Sequence, residues 1–121
     1  MKKKILILGG SGLLGLSFIH RFNEEYEILA SYNRNKPNTS SLKNIRFIKL
    51  SINKTFKNLE KLIYNFKPDY VFNFLAISEI EKCEKNKTKC KKVIFDSFKR
   101  ALKVSKKYNC KFVHMSTDAV Y

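Results

Sequence analysis

The chain has 121 residues, with 25 Lys and Arg against 10 Asp and Glu, giving a net charge of +15. A hydrophobic content of 44% with 13% aromatics places it among globular chains of one domain that can bury a core. It is not a membrane-spanning chain in composition: no apolar run approaches the roughly 20 residues that crossing a bilayer requires.

The opening Met1-Lys2-Lys3-Lys4 has the basic character of an export signal. The apolar run behind it, Ile5 to Leu8, is short and breaks into glycines, so it reads as a first strand. All 4 glycines of the chain then fall in one window, Gly9-Gly10-Ser11-Gly12-Leu13-Leu14-Gly15. Beyond it Leu14, Phe18, Ile19 and Phe22 recur at helical spacing. Strand, glycine turn, helix is the context of a dinucleotide-binding fingerprint. Gly10, Gly12 and Gly15 satisfy GxGxxG, and Gly9, Gly12 and Gly15 satisfy GxxGxxG. In this reading an early glycine makes the tight turn, and Gly12 brings bare backbone against a pyrophosphate. Gly15 lets the helix pack closely on the strand, and the free N–H groups of that helix face the phosphates. The competing reading is a structural turn that holds no ligand.

Tyr26 to Ser31 reads as a second strand. Asn33 to Asn44, with Pro37, Thr39, Ser40 and Ser41, has loop chemistry where a complete doubly wound unit has its second helix. Ile45 to Leu50 is a third strand, and Phe56, Leu59, Leu62, Ile63 and Phe66 form one apolar helical face. Lys67-Pro68-Asp69 stops that helix. Tyr70 to Leu75 is nearly continuously apolar, as suits a central parallel strand covered on both sides. Ser78 to Tyr108 reads as helix in two pieces with a break near Asn86-Lys87-Thr88, and Cys90, Ile94, Phe98, Ala101 and Ser105 share a face. Lys111 to Met115 is a fifth strand ending at Ser116-Thr117-Asp118. This alternation predicts an α/β fold: a Rossmann-like, doubly wound parallel sheet in the order 3-2-1-4-5.

Cys83, Cys90 and Cys110 show no metal-ligand or disulfide spacing, and His20 and His114 stand alone. We expect no metal site, and a reducing, cytoplasmic compartment. The lysines are spread from Lys2 to Lys111 with only 4 arginines among them and no aromatic-rich basic stripe. That pattern describes solvated faces, not a specific nucleic-acid interface. A positive field nonetheless steers anionic ligands inward. The corner after the second strand, Ser31-Tyr32-Asn33-Arg34-Asn35-Lys36, holds no carboxylate to bond a ribose 2′-hydroxyl, whereas Arg34 is placed to pair with a 2′-phosphate. This favours NADP over NAD as the cofactor; the alternative is that Arg34 and Lys36 are ordinary loop charges.

Four segments, in order, resemble the extended short-chain dehydrogenases, and more closely the dTDP-4-dehydrorhamnose reductase group of sugar-nucleotide-modifying enzymes. They are Gly9 to Gly15; Lys67 to Ala76, similar to KPDxVxNxAA; Ile80 to Glu84, similar to VDxCE; and Val113 to Tyr121, similar to VHxSTDxVF. The resemblance covers essentially the whole chain. It implies an NAD(P)-binding Rossmann domain over residues 1–121, whose cofactor contacts include Gly9, Gly12, Leu13, Leu14, Gly15, Asn33, Arg34, Leu75, Ala76 and Ser78. It further implies that Thr117 takes part in catalysis and that Thr117 and Asp118 touch a sugar nucleotide. The activity implied is hydride transfer to a 4-keto sugar nucleotide in surface-polysaccharide synthesis.

The pattern is broken in places. Leu75 replaces an alanine, Leu50-Ser51-Ile52-Asn53 lacks the acidic residue expected after the third strand, and Ile94 stands where the family has an asparagine. The family's Tyr-x-x-x-Lys pair, in which lysine lowers the pKa of the proton-donating tyrosine, lies downstream of Ser-Thr-Asp. We therefore expect residues 1–121 to be the front part of an enzyme, incomplete on its C-terminal side and without a substrate domain. A non-catalytic dinucleotide-binding or regulatory module and an NAD-dependent epimerase or dehydratase fragment are the alternatives. An open fifth strand bearing Phe112 and Val113 would also favour self-association through the sheet edge.

Overall fold

A computed structural model of the protein describes residues 2–10, 13–32, 44–50, 56–74 and 87–114. In chain order these form β1 (Lys4–Leu8), α1 (Leu13–Phe22), β2 (Glu27–Tyr32), β3 (Ile45–Lys49), α2 (Phe56–Phe66), β4 (Tyr70–Asn73), α3 (Lys87–Lys107) and β5 (Lys111–His114). All strand pairs are parallel and the sheet order is β3-β2-β1-β4-β5, as the alternation of elements predicts.

Strands apolar on both faces need cover on both sides. One side of β1 and β2 turns Leu6, Leu8 and Leu29 toward Leu59, Ile63 and Phe66 of α2 and Ala101 and Val104 of α3. The other side turns Ile5, Ile7, Ile28 and Ala30 toward Ile19 of α1, with Phe18 and Phe22 packed against them. The apolar positions read as one face of α2 are the buried ones: Leu59, Ile63 and Phe66 are under 9% exposed, while Leu62 packs at the margin. In α3, Ala101 and Ser105 are buried and Phe98 is half-buried. The side chains of Cys90 and Ile94 lie outside the described residues, as does the first of the two expected helical pieces. Lys87 and Thr88, read as part of the break, open α3 instead, and the rest of the expected break lies outside the described residues.

Helix ends follow from local chemistry. Lys67, at φ 54°, closes α2 before Pro68, which cannot continue the helix. At the end of α3 the Asn109 N–H donates to the Lys106 carbonyl and the Cys110 N–H to the Ser105 carbonyl. With Asn109 at φ 58° this is a Schellman motif, using asparagine for the left-handed position. Asp69, the last residue of the Lys-Pro-Asp stop, ties three strand starts together. Its carboxylate accepts from the Lys4 N–H at 2.8 Å, its N–H donates to the Lys4 carbonyl at 2.8 Å, and its carbonyl accepts from Lys111 at 3.0 Å. That segment therefore serves the amino edge of the sheet. Among the described residues, no helix is long and apolar enough to cross a membrane.

Candidate functional site

In an open parallel sheet a ligand crevice forms at the carboxyl edge where the strand order reverses, here between β1 and β4. The chain leaving β1 turns through Gly9, whose φ of 79° is the left-handed region that glycine enters without a Cβ penalty. Two further close approaches exclude side chains. A Cβ on Gly10 would lie 2.7 Å from the Cβ of Ala30, and one on Gly15 would lie 2.9 Å from the Cα of Gly10. Gly15 thus seats α1 on the turn itself, at Gly10, two residues beyond the end of the strand on which the glycine pattern had placed it. The turn is also latched to β2. The Gly9 N–H donates to the Ser31 Oγ at 2.9 Å, and the Gly10 N–H donates to the Ser31 carbonyl at 2.8 Å.

Across the switch point, the Phe74 N–H donates to the Leu8 carbonyl at 2.8 Å, which carries β4 to the same edge as β1. Asn73, 1% exposed, and His114 are register partners on β4 and β5, and Asn73 Nδ2 lies 3.1 Å from His114 Nδ1. The Phe98 ring of α3 packs on the imidazole with centroids 4.4 Å apart. Burial holds the His114 pKa below its ordinary value. A neutral ring with an unprotonated Nδ1 accepts the Asn73 N–H. These strand tips lead directly into residues 75–78 and 116–118.

The expected contacts are divided by this geometry. Gly9, Gly10 and Gly15 come together at the β1 turn, and the backbone of Leu13 and Leu14 opens α1. Gly12, Asn33, Arg34, Leu75, Ala76, Ser78, Thr117 and Asp118 lie outside the described residues, as do the side chains of Leu13 and Leu14. The described end of β2, Ser31-Tyr32, carries no carboxylate, and Glu27 sits at the opposite end of the strand in register with Lys4. Sequence reasoning did not single out Ser31, Ala30 or His114. A serine closing an otherwise apolar strand is the one local hint of the first.

A groove of about 510 Å³ lined by Lys3, Tyr64, Lys67, Asp69, Tyr108 and Cys110 opens at the amino edge, away from the switch point. Burial, with the nearby Asp69 charge, pushes the Cys110 thiol up, so it stays protonated and unreactive there. No metal-binding group of three or more His, Cys, Asp or Glu exists among the described residues. A dinucleotide is a different matter. Gly10 and Gly15 let α1 begin close behind β1, and a helix N-terminus in that place fits a diphosphate.

Comparison with known proteins agrees with this fold. The sequence profile of the NAD dependent epimerase/dehydratase family matches residues 5–121. No curated protein matches the chain. Among solved structures, a hypothetical dTDP-4-dehydrorhamnose reductase from Sulfolobus tokodaii is 29% identical with a TM-score of 0.77, over 100% of this chain and 41% of that one. UDP-glucose 4-epimerase from Thermotoga maritima, solved with UDP-glucose, shares the fold at 24% identity and TM-score 0.75, over 92% of this chain and 37% of its own. The Bordetella bronchiseptica enzyme WbmG, solved with NAD, shares it at 22% identity and TM-score 0.78, over 94% and 37%. The chain therefore spans about two-fifths of the length of these proteins.

Proposed function

This chain belongs to the NAD dependent epimerase/dehydratase family, and we propose that it forms the dinucleotide-binding part of a cytoplasmic sugar-nucleotide reductase. The substrate of that reductase is a 4-keto sugar nucleotide destined for surface polysaccharide. The observation that carries the cofactor half of this reading is the Gly10–Gly15 approach, which only glycine permits and which brings the N-terminal turn of α1 onto the turn that follows β1. The reductase half is supported by the Ser116-Thr117-Asp118 segment and by the resemblance to the Sulfolobus protein.

When bound, the nicotinamide supplies the hydride. The chain's own residues supply binding and orientation. The β1 turn and the first amides of α1 take the diphosphate, and Leu75, Ala76 and Ser78 run beside a ribose. Thr117 works with a tyrosine–lysine pair from a later part of the protein, and Asp118 holds the sugar. NADP is the preferred form, because the β2 corner offers Arg34 and no carboxylate.

The test is a fluorescence titration of NADPH and NADH against wild type and Gly12→Val. Wild type should bind both, NADPH more tightly, and the valine variant neither. Equal signals from both proteins would remove the reading. A second reading, a dinucleotide-binding module without chemistry, is favoured by Ile94, which cannot make the hydrogen bond of an asparagine. Turnover of a 4-keto sugar nucleotide by the full-length protein decides between the two.

A further inference from the structure

Ser31 is 2% exposed, and both of its oxygens are engaged with the glycine turn. The two bonds differ in kind. The bond from Gly10 to the Ser31 carbonyl extends the parallel β1–β2 ladder beyond its last register pair, Ile7 with Ala30, and any residue at position 31 supplies it. The bond from Gly9 to Oγ exists because position 31 is serine. Gly9 is also the residue that most needs an external hold. It sits at φ 79°, and a glycine released from its partner explores both signs of φ freely.

We propose that Ser31 is a positioning residue of the dinucleotide site, whose hydroxyl fixes Gly9 and thereby the path of the chain from β1 into α1. The proposal rests on the cofactor reading above. It has a consequence for specificity. The N–H groups of Gly9 and Gly10 are already committed to β2, so among the described residues the amides left for the diphosphate are those that open α1. Their placement depends on where the latch sets the turn. Because NAD and NADP share that diphosphate, Ser31 acts on both alike, whereas Arg34 acts on the 2′-phosphate alone.

The experiment measures NADPH and NADH affinity for wild-type full-length protein, Ser31→Ala, and the isosteric pair Ser31→Thr and Ser31→Val, alongside amide hydrogen exchange. Ser31→Ala should weaken both cofactors in parallel by about three- to tenfold, the range of one lost hydrogen bond, with its cooperative melt retained. Ser31→Thr should bind more tightly than Ser31→Val, since only the hydroxyl separates them. Exchange at the Gly9 amide should accelerate by about tenfold in Ser31→Ala while Gly10 stays protected. Wild-type affinity in Ser31→Ala, equal binding by Thr and Val, equal acceleration at both glycines, or a loss confined to NADPH would each overturn the proposal. A wild-type protein that binds neither cofactor overturns the cofactor reading and this proposal together. Normal wild-type binding with an unaffected Ser31→Ala overturns only the proposal.

Discussion

The β1–β2 half of the carboxyl edge is closely packed around glycines that leave no space for a Cβ at positions 10 and 15, with two amides donated to Ser31 and strand interiors that are buried. The β4–β5 half adds side-chain contacts to its ladder, with Asn73 against His114 and Phe98 over the ring, on a fifth strand whose residues are exposed or half-buried. The contrast separates two tasks. Close packing fixes the path of the chain at Gly9 and Gly10, which under the proposed function serves the diphosphate, and side-chain contacts place the strand tips that lead to Ala76, Ser78 and Thr117. The first half tolerates almost no added atom. The second has room at its margins.

Truncating the core of each half gives the widest separation. Ile7→Ala, at a fully buried site on β1, should cost about 2–5 kcal/mol in urea unfolding. Val113→Ala on half-buried β5 should cost about 1 kcal/mol or less. Equal losses would erase the distinction. Next in size is overpacking the backbone half: Gly15→Val should lower stability by about 1–3 kcal/mol, because the new carbons meet the backbone of Gly10. Removing the side-chain tie with Asn73→Ala should cost about 1 kcal/mol, measured in the same way.

A smaller effect concerns pH. Burial lowers the folded pKa of His114 from its ordinary 6.5, so the folded state binds fewer protons than the unfolded state between the two values. The contribution is complete above pH 6.5 and is lost as pH falls through the folded value. Unfolding midpoints at pH 7.5 and 5.5 should therefore drop more for wild type than for His114→Gln. Parallel drops would place the imidazole in a water-like setting. The smallest effect is expected at the surface. Glu60, whose pKa is lowered chiefly by its hydrogen bond from Lys107, is a half-buried surface residue whose partner is exposed. Glu60→Gln should leave the melting temperature unchanged within error.

The two halves were also unequally legible in the sequence. Apolar runs separated by helical spacing determined the strand order, because a doubly wound parallel sheet is the architecture such alternation leads to. The strand limits shifted slightly: β2 runs from Glu27 to Tyr32, since Tyr32 still pairs with Lys49 of β3. The glycine window announced itself through composition. The contacts that hold the strand tips did not, because the Gly9–Ser31 and Asn73–His114 contacts join residues 22 and 41 positions apart. Neither Ser31 in a strand nor an isolated histidine signals a partner at that distance. The tight fit of Gly10 likewise depends on Ala30, which only the folded sheet brings to it.

The most direct test of the diphosphate cradle is an amide-resolved NMR titration of the protein with NADPH. Chemical-shift changes should be saturable and concentrated in residues 9–15 and at the end of β2, and they should persist at raised salt. Changes spread over the lysine-rich surface that vanish with salt, leaving the glycine turn unperturbed, would contradict the account.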